Sequence, residues 1–135
     1  NPGFNIFYID PYWAATLYFN PKLTASWRLH YLWCAKNHAT NIKAGDAIHL
    51  NYSLAYEMIK GFNIAINGYF LRQLRNNTQC GIEIPNTKEQ VFGVGPGAVY
   101  IYSKDFAIFG HLYYENAVRN RTQGMSLNFS LVKHF

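Results

Sequence analysis

Polar side chains that can donate, accept or transfer a proton recur at every second position through several apolar stretches. In the stretch 23–34, for example, Arg28 and His30 alternate with Leu29 and Tyr31. This spacing places the polar side chains on one face of a β-strand and the apolar ones on the other. It predicts one hydrogen-bonding surface shared by several strands. The residues predicted to line it are Arg28, His30, His49, Asn51, Glu57, Asn63, Asn67, Tyr69, Gln73, His111, Glu115, Asn128 and His134.

A surface of this kind is rich in hydrogen-bonding groups and poor in net charge. If it encloses a passage, we expect it to favour small polar or amphiphilic solutes over highly charged ones. The alternative is a plugged or packed interior in which the same groups satisfy one another. The residue pattern leaves both alternatives open.

Two conventional reaction centres can be drawn from the polar residues. His111, Glu115 and Ser130 supply a base, an orienting acid and a nucleophile, but such a triad needs all three within hydrogen-bond reach. All three share the polar parity, whereas a site that cleaves membrane lipid should face the bilayer. We therefore expect no enzymatic activity. Only His30 and His49 pair on one face, so we expect no metal and no cofactor.

The cysteines carry little functional signal. Cys34 and Cys80 do not have the spacing of metal ligands, so a zinc site is not expected. An oxidising envelope would allow a disulfide between them. Two unpaired thiols are the simpler expectation.

The composition limits the class of protein. The chain has 135 residues, of which half are hydrophobic and 14% are charged, against about 25% charged residues in soluble domains. No stretch approaches the roughly 18 uninterrupted apolar residues of a membrane helix. A soluble β-sandwich would have to bury an apolar face from nearly every strand. The net charge of +5 comes from scattered basic residues, so nucleic-acid binding is not expected.

Alternation with period two predicts seven membrane-crossing strands of about ten residues each. The first strand falls within 4–19 and is expected to bend at Asp10-Pro11. The others are predicted at 23–34, 47–57, 62–74, 91–102, 106–116 and 125–135.

The connections between these strands alternate between short and long. Short turns are predicted at 20–22, 59–61 and 103–105, and long polar loops at 36–46, 75–90 and 118–123. Outer-membrane barrels have short periplasmic turns and longer outer loops, with aromatic girdles at both interfaces. The predicted fold is therefore an all-β, antiparallel up-and-down transmembrane β-barrel in the bacterial outer membrane. Phe135 is expected at the periplasmic end.

Turn lengths also predict the register of the last strands. Pairing across the turn at 103–105 puts Gly97 opposite His111 and Gly93 opposite Glu115. Glycines at these positions leave space in the wall of the barrel. On the other side of the strand 106–116, the last strand is expected to carry Ser126 and Ser130.

An acid inside a barrel needs a partner, so Glu115 is interpreted as a structural anchor hydrogen-bonded to Arg119 or Arg121. Arginine geometry also suits the phosphates of lipopolysaccharide, although solvated loop charge is the ordinary alternative. The basic residues predicted on the long-loop side are Lys36, Lys43, Arg72, Arg75, Lys88, Arg119 and Arg121.

Several short motifs carry a resemblance to a known family. They are Gly45-Asp46, Gly68-Tyr69 with Gln73, Gly95-Pro96, Glu115-Asn116 and Gln123-Gly124. With the sequence around them, they resemble the outer-membrane family described as "putative MetA-pathway of phenol degradation", also known as outer-membrane transporters. The resemblance covers most of the chain and implies a barrel of roughly a dozen strands that passes small hydrophobic or aromatic compounds inward.

The sequence departs from the family pattern in two ways. The family's first several strands are absent, and Lys133 stands where the terminal assembly signal has an apolar residue. We therefore expect residues 1–135 to be the C-terminal portion of a single outer-membrane β-barrel domain, with seven strands of an expected twelve. Seven strands would leave two open edges, which hydrocarbon does not tolerate. We expect either a fragment of a longer gene product or completion by another copy or a partner.

Three functions follow from these expectations. The first is a channel or transporter-like barrel for small hydrophobic or aromatic compounds. The second is a structural or assembly component of the outer membrane with a closed barrel, and the third is an outer-membrane enzyme. The expected partners are outer-membrane lipid, lipopolysaccharide and the assembly machinery that reads the strand ending at Phe135.

Overall fold

The computed structural model describes residues 6–135, which form β-strands joined by turns and loops. Within this range there is no helix with the length and hydropathy needed to span a membrane. The strands are β1 (Tyr8–Ile9), β2 (Tyr12–Tyr18), β3 (Leu23–Cys34), β4 (Ile42–Lys43), β5 (Ala47–Ile59), β6 (Phe62–Gln73), β7 (Thr78–Gln79), β8 (Ile82–Glu83), β9 (Gln90–Ser103), β10 (Phe106–Arg119) and β11 (Met125–Lys133).

The long strands form one antiparallel sheet in which sequence neighbours are spatial neighbours. Its order is β3, β5, β6, β9, β10 and β11, and β1 and β2 both pair with β3 at the other edge. The all-β, up-and-down antiparallel prediction is therefore confirmed. In the described residues the sheet is open, with β1 and β2 at one edge and β11 at the other.

β1 and β2 act as a single strand that is interrupted at Asp10-Pro11. The Pro11 carbonyl still accepts from the Tyr31 backbone N–H at 3.0 Å, so the ladder continues past the break. Proline cannot donate a ladder hydrogen bond and is tolerated at an edge strand. The interruption falls where the bend was predicted, but the register is the same on both sides of it, since Ile9 pairs with Trp33 and Tyr12 with His30. The bend itself stays a prediction, and the predicted strand positions at 4–5 lie outside the described residues.

Short turns join the strands at the end of the sheet that carries no loops. At the β2–β3 turn, the Asn20 side-chain oxygen accepts from the backbone N–H groups of Lys22 and Leu23, both at 2.8 Å. The β5–β6 turn places Gly61 at a φ of 86°, in the left-handed region that favours glycine. The predicted short turns are confirmed, and the last strand ends at Lys133 rather than at Phe135.

The long loops contain a second sheet that the sequence did not predict. β4 pairs with β7, and β7 pairs with β8. The two residues between β7 and β8 are Cys80 and Gly81, with φ values of 52° and 82°. Both positive angles match the tight two-residue hairpin turn whose twist suits antiparallel strands. Strands of two residues are too short to show any periodicity, which is why the pattern missed them.

The loops are anchored to the main sheet by Gln73. Its side-chain amide donates to the Arg75 carbonyl and to the Asn77 side chain, both at 2.7 Å. Its oxygen accepts from the Glu89 backbone N–H at 3.2 Å. Gln73 is buried, with 7% of its surface exposed. The register keeps Gln73 on the same side of the sheet as Tyr69, since it pairs with Ala47 while Tyr69 pairs with Asn51. Its hydrogen bonds there hold the loops, which the sequence did not predict.

Gly45 and Asp46 complete this anchor from the neighbouring loop. The Gly45 N–H donates to the Asn77 side chain at 3.0 Å, and the Asp46 carbonyl accepts from the Leu74 N–H at 2.7 Å. A Cβ at position 45 would lie 1.8 Å from the Arg75 carbonyl oxygen. Only glycine fits so close to another backbone. The Gly45-Asp46 pair and Gln73, which stood out in the sequence, are thus parts of one joint.

Candidate functional site

The register of the main sheet brings the predicted polar residues onto one face. Arg28 lies opposite Asn51, Asn51 opposite Tyr69, Tyr69 opposite Gly93, and Gly93 opposite Glu115. These pairs form one row that crosses five strands. Directly opposed residues in a sheet point to the same side.

The other predicted residues occupy neighbouring rows on that face, which we call the polar face. His30 pairs with His49, and His111 pairs with Asn128. Glu57 pairs with Asn63 near the short turns, and Asn67 pairs with Ser53. His134 follows the last residue of β11 and donates its backbone N–H to the Asp105 carbonyl at 2.9 Å.

Two hydrogen bonds on the polar face reach from β6 to β10 across the intervening strand β9. The Tyr69 hydroxyl donates to the Glu115 carboxylate. The Asn67 amide nitrogen lies 2.8 Å from His111 Nδ1, and the Ser53 hydroxyl donates to the Asn67 oxygen at 2.5 Å. The side chains of β6 and β10 therefore meet above the backbone of β9.

Glycines in β9 make room for both bridges. A Cβ at Gly93 would lie 2.5 Å from the Tyr69 ring, and one at Gly97 would lie 2.4 Å from the Asn67 amide nitrogen. The predicted pairings of Gly97 with His111 and Gly93 with Glu115 are confirmed. The expectation of free space beside them needs correction, because Asn67 and Tyr69 fill it.

Glu115 is anchored by neutral donors. Its second carboxylate oxygen accepts from the Gly124 N–H at 3.0 Å, and its carbonyl accepts from the Gln123 side chain at 2.9 Å. The predicted arginine partners are therefore wrong. Arg121 lies 3.9 Å from Glu89 instead.

A bulge explains why Arg119 does not reach Glu115. The β9–β10 register shifts by one residue between Asn116 and Arg119, and Ala117 has a φ of 52°. A shift of one residue moves every following side chain to the other face of the strand. Arg119 consequently pairs with Gln90 and lies off the polar face.

The hypothetical hydrolytic triad is not assembled in this arrangement. On β11 the residue opposite His111 is Asn128, while Ser130 and Ser126 lie opposite Phe109 and Tyr113. Among residues 6–135, no hydrogen bond joins His111 to Ser130 or Glu115.

A second cluster lies toward the β1–β2 edge of the polar face. His30 Nδ1 lies 3.2 Å from both carboxylate oxygens of Asp10, and its ring centre lies 5.4 Å from that of His49. The Arg28 guanidinium lies 5.1 Å from the centre of the Tyr12 ring, a distance at which a cation–π attraction operates. No group of three or more metal-ligating side chains occurs within residues 6–135.

A cleft of about 480 Å³ lies over the middle of the polar face. The Tyr113 ring centre lies 5.6 Å from that of Tyr69 and 6.2 Å from that of His111. Arg28 is its single charged lining residue. Tyr113, Ser26 and Ser53 were missed by sequence reasoning, although their parity would have placed them here. The polar residues that line it are Thr16, Ser26, Arg28, Asn51, Tyr52, Ser53, Asn67, Tyr69, His111 and Tyr113.

The opposite face, which we call the apolar face, consists of aliphatic and aromatic side chains. Leu54 lies opposite Ile66, and their exposed fractions are 44% and 55%. Trp13 and Trp27 contact each other there, with ring centres 5.7 Å apart. Large apolar surfaces of this kind mark contact with membrane or protein.

The sheet and its two faces define the class, an all-β antiparallel protein with one polar and one apolar surface. The chain belongs to the family described as "Putative MetA-pathway of phenol degradation", whose profile matches residues 1–131. The resemblance seen in the sequence is thereby confirmed. No curated protein and no solved structure gives a significant match to this chain.

Replacing a β9 glycine tests whether the bridges depend on the space above that strand. Gly93→Ala and Gly97→Ala should each lower the free energy of unfolding by about 1–3 kcal/mol, because the new methyl group displaces a bridging side chain. The measurement is urea unfolding in detergent, followed by tryptophan fluorescence.

Gly110→Ala in the adjacent strand β10 is the matched control. A Cβ at Gly110 meets nothing within 4 Å, so we expect little change. Equal stability of all three variants would contradict the role assigned to Gly93 and Gly97.

Proposed function

We propose that this protein forms part of the wall of a β-barrel in the bacterial outer membrane, through which small aromatic or other hydrophobic compounds pass. The observation that carries this proposal is the separation of the sheet into an apolar face and a polar face. In such barrels the apolar side chains contact lipid and the polar ones face the lumen. The family's name, which refers to phenol degradation, supports an aromatic solute.

The cleft on the polar face supports the proposed solute class. Tyr69 and Tyr113 offer ring surfaces, and Asn51, Asn67 and Ser53 offer neutral hydrogen-bonding groups. A phenol-like molecule has the matching chemistry, since its ring can stack and its hydroxyl can hydrogen-bond. With Arg28 as the single charged lining residue, small neutral or weakly anionic compounds fit better than multiply charged ones.

Closure of the barrel is part of the proposal. The sheet has seven strands when β1 and β2 are counted as one. Because neighbouring strands are antiparallel, the first and the seventh strands, which form the two edges, run in the same direction. Antiparallel pairing at both edges then requires an odd number of further strands. If a second copy lay in the membrane in the same orientation, its edge strands would pair in parallel with both edge strands of the first copy. We therefore propose that the closing strands have another sequence, in a longer form of the same chain or in a partner.

The ends of the barrel have proposed partners of their own. The loop end would lie outside the cell, near lipopolysaccharide, and the short-turn end in the periplasm. β11 is exposed along its whole length and is followed by the fully exposed Phe135. We propose that the assembly machinery recognises this edge. Next to it, the Lys133 ammonium nitrogen lies 4.9 Å from the centre of the Phe135 ring.

The second candidate is a structural barrel whose interior is closed. One observation favours it, because Ser53, Asn67 and His111 satisfy one another, as do Tyr69 and Glu115. Fully satisfied polar networks rigidify an interior. We propose no catalytic role for these residues.

The assignment of faces predicts opposite effects for charge on neighbouring positions of β5 and β6. Ile66→Arg or Leu54→Arg should impair membrane assembly by about 2 to 4 kcal/mol near the bilayer midplane. Asn51→Arg is the control and should be tolerated, because it adds charge to the polar face. The measurement is the fraction of heat-modifiable folded protein in outer-membrane preparations. Similar losses in all three variants would rule out the proposed orientation of the faces.

Conductance in planar bilayers tests passage through the protein. Protein reconstituted together with the segment that supplies the closing strands should give a steady conductance that falls when phenol is added, because the solute competes with water and ions in the cleft. Asn51→Arg should shift the selectivity toward anions, since fixed charge in a lumen tunes selectivity. A membrane that holds the completed barrel and shows no steady conductance would favour the closed structural barrel.

A further inference from the structure

A second cleft lies between two of the long loops, away from the polar face. It has a volume of about 440 Å³ and sits between the segment before β9 and the segment after β10. Its volume falls within the range of pockets that hold small ligands. The lining residues are Asn76, Asn86, Lys88, Arg119 and Asn120.

The two walls of this cleft are joined by hydrogen bonds. The Asn120 side-chain amide donates to the carbonyls of Asn86 and Lys88, both at 2.7 Å. Arg119 pairs with Gln90 in the β9–β10 ladder, and the Gln90 side chain donates to the Ala117 carbonyl at 3.3 Å. Lys88 and Arg119 are therefore carried on backbone segments that are fixed relative to each other.

The lining contains two cations and no carboxylate. Two acids lie nearby: Glu89 is 3.9 Å from Arg121, and Glu83 accepts from the side chain of the lining residue Asn76 at 2.5 Å. Arg75, another loop cation, lies 3.9 Å from Asp46. Among residues 6–135, neither Lys88 nor Arg119 has an ion-pair partner.

Ordinary loop cations repel one another and spread into solvent. Here the hydrogen bonds of Asn120 and the β9–β10 ladder hold two of them in one concave space. A bound anion would relieve their mutual repulsion. Arginine presents paired N–H donors that match the oxygens of phosphate or carboxylate, and lysine adds a point charge. The side-chain amide of Asn86 extends the donor set.

We propose that this cleft binds an oxyanion between Lys88 and Arg119. The shared chemistry is a phosphate or carboxylate group, which either a lipopolysaccharide headgroup or a free small anion can supply. The site goes beyond the proposed passage of solutes, because it lies in the loops and does not require an open lumen.

Calorimetric titration of the purified protein with sodium phosphate at low ionic strength tests the site, since salt screens such contacts. Wild-type protein should bind phosphate, and Lys88→Gln/Arg119→Gln should bind at least about tenfold more weakly, because two charge-assisted contacts are lost. The matched control is Lys36→Gln/Lys104→Gln, which removes the same charge from exposed positions outside the cleft. Heat-modifiable mobility on gels would check that each variant is folded.

The outcomes separate the two sources of the anion. If phosphate binds and added lipopolysaccharide displaces it, the site takes a lipid headgroup; if lipopolysaccharide does not displace it, the site takes a free anion. No phosphate binding by folded wild-type protein, or equal binding by the two double variants, would overturn the proposal. Because the titration needs no conductance, its failure is distinguishable from failure of the proposed channel.

Discussion

Backbone pairing between neighbouring strands is the constraint on which the rest of this protein depends. Strands β3, β5, β6, β9 and β10 are each hydrogen-bonded on both sides, so their side chains can point only to one face or the other. The sequence alternates in step with this geometry, which separates Ile66 from Asn67 and Leu50 from Asn51. A strand that slipped by one residue would exchange the two faces.

The polar face adds contacts that the ladder alone does not specify. β9 supplies almost no side-chain volume at Gly93 and Gly97, and this lets residues two strands apart meet. The Tyr69–Glu115 and Asn67–His111 bridges tie β6 to β10 as well as to their direct neighbours. These two bridges link the strands on either side of β9, and they fix the positions of Asn67, Tyr69 and His111 beside the cleft.

Much of this architecture was predictable because it follows from period two and from turn lengths. The seven crossings, the short turns and the pairing of Gly97 with His111 all have a local signal in the sequence. The loop sheet had none, since β4, β7 and β8 each contain two residues.

The partners of individual side chains were harder to predict. The partner of Glu115 was misassigned because the bulge at Ala117 moves Arg119 to the other face. The alternation of polar and apolar residues contains no signal of this bulge. Gln73 has the parity of the polar face, but its hydrogen bonds depend on Asn77 and Glu89, which only the folded loops bring near.

The central claim is that the apolar face contacts lipid, and the native tryptophans report on it directly. Trp13 and Trp27 lie on that face, and Trp33 has the same parity in β3. In vesicles, brominated lipids should strongly quench their fluorescence, while an aqueous quencher such as iodide should have little effect. Strong quenching by iodide with none by brominated lipid would contradict the account.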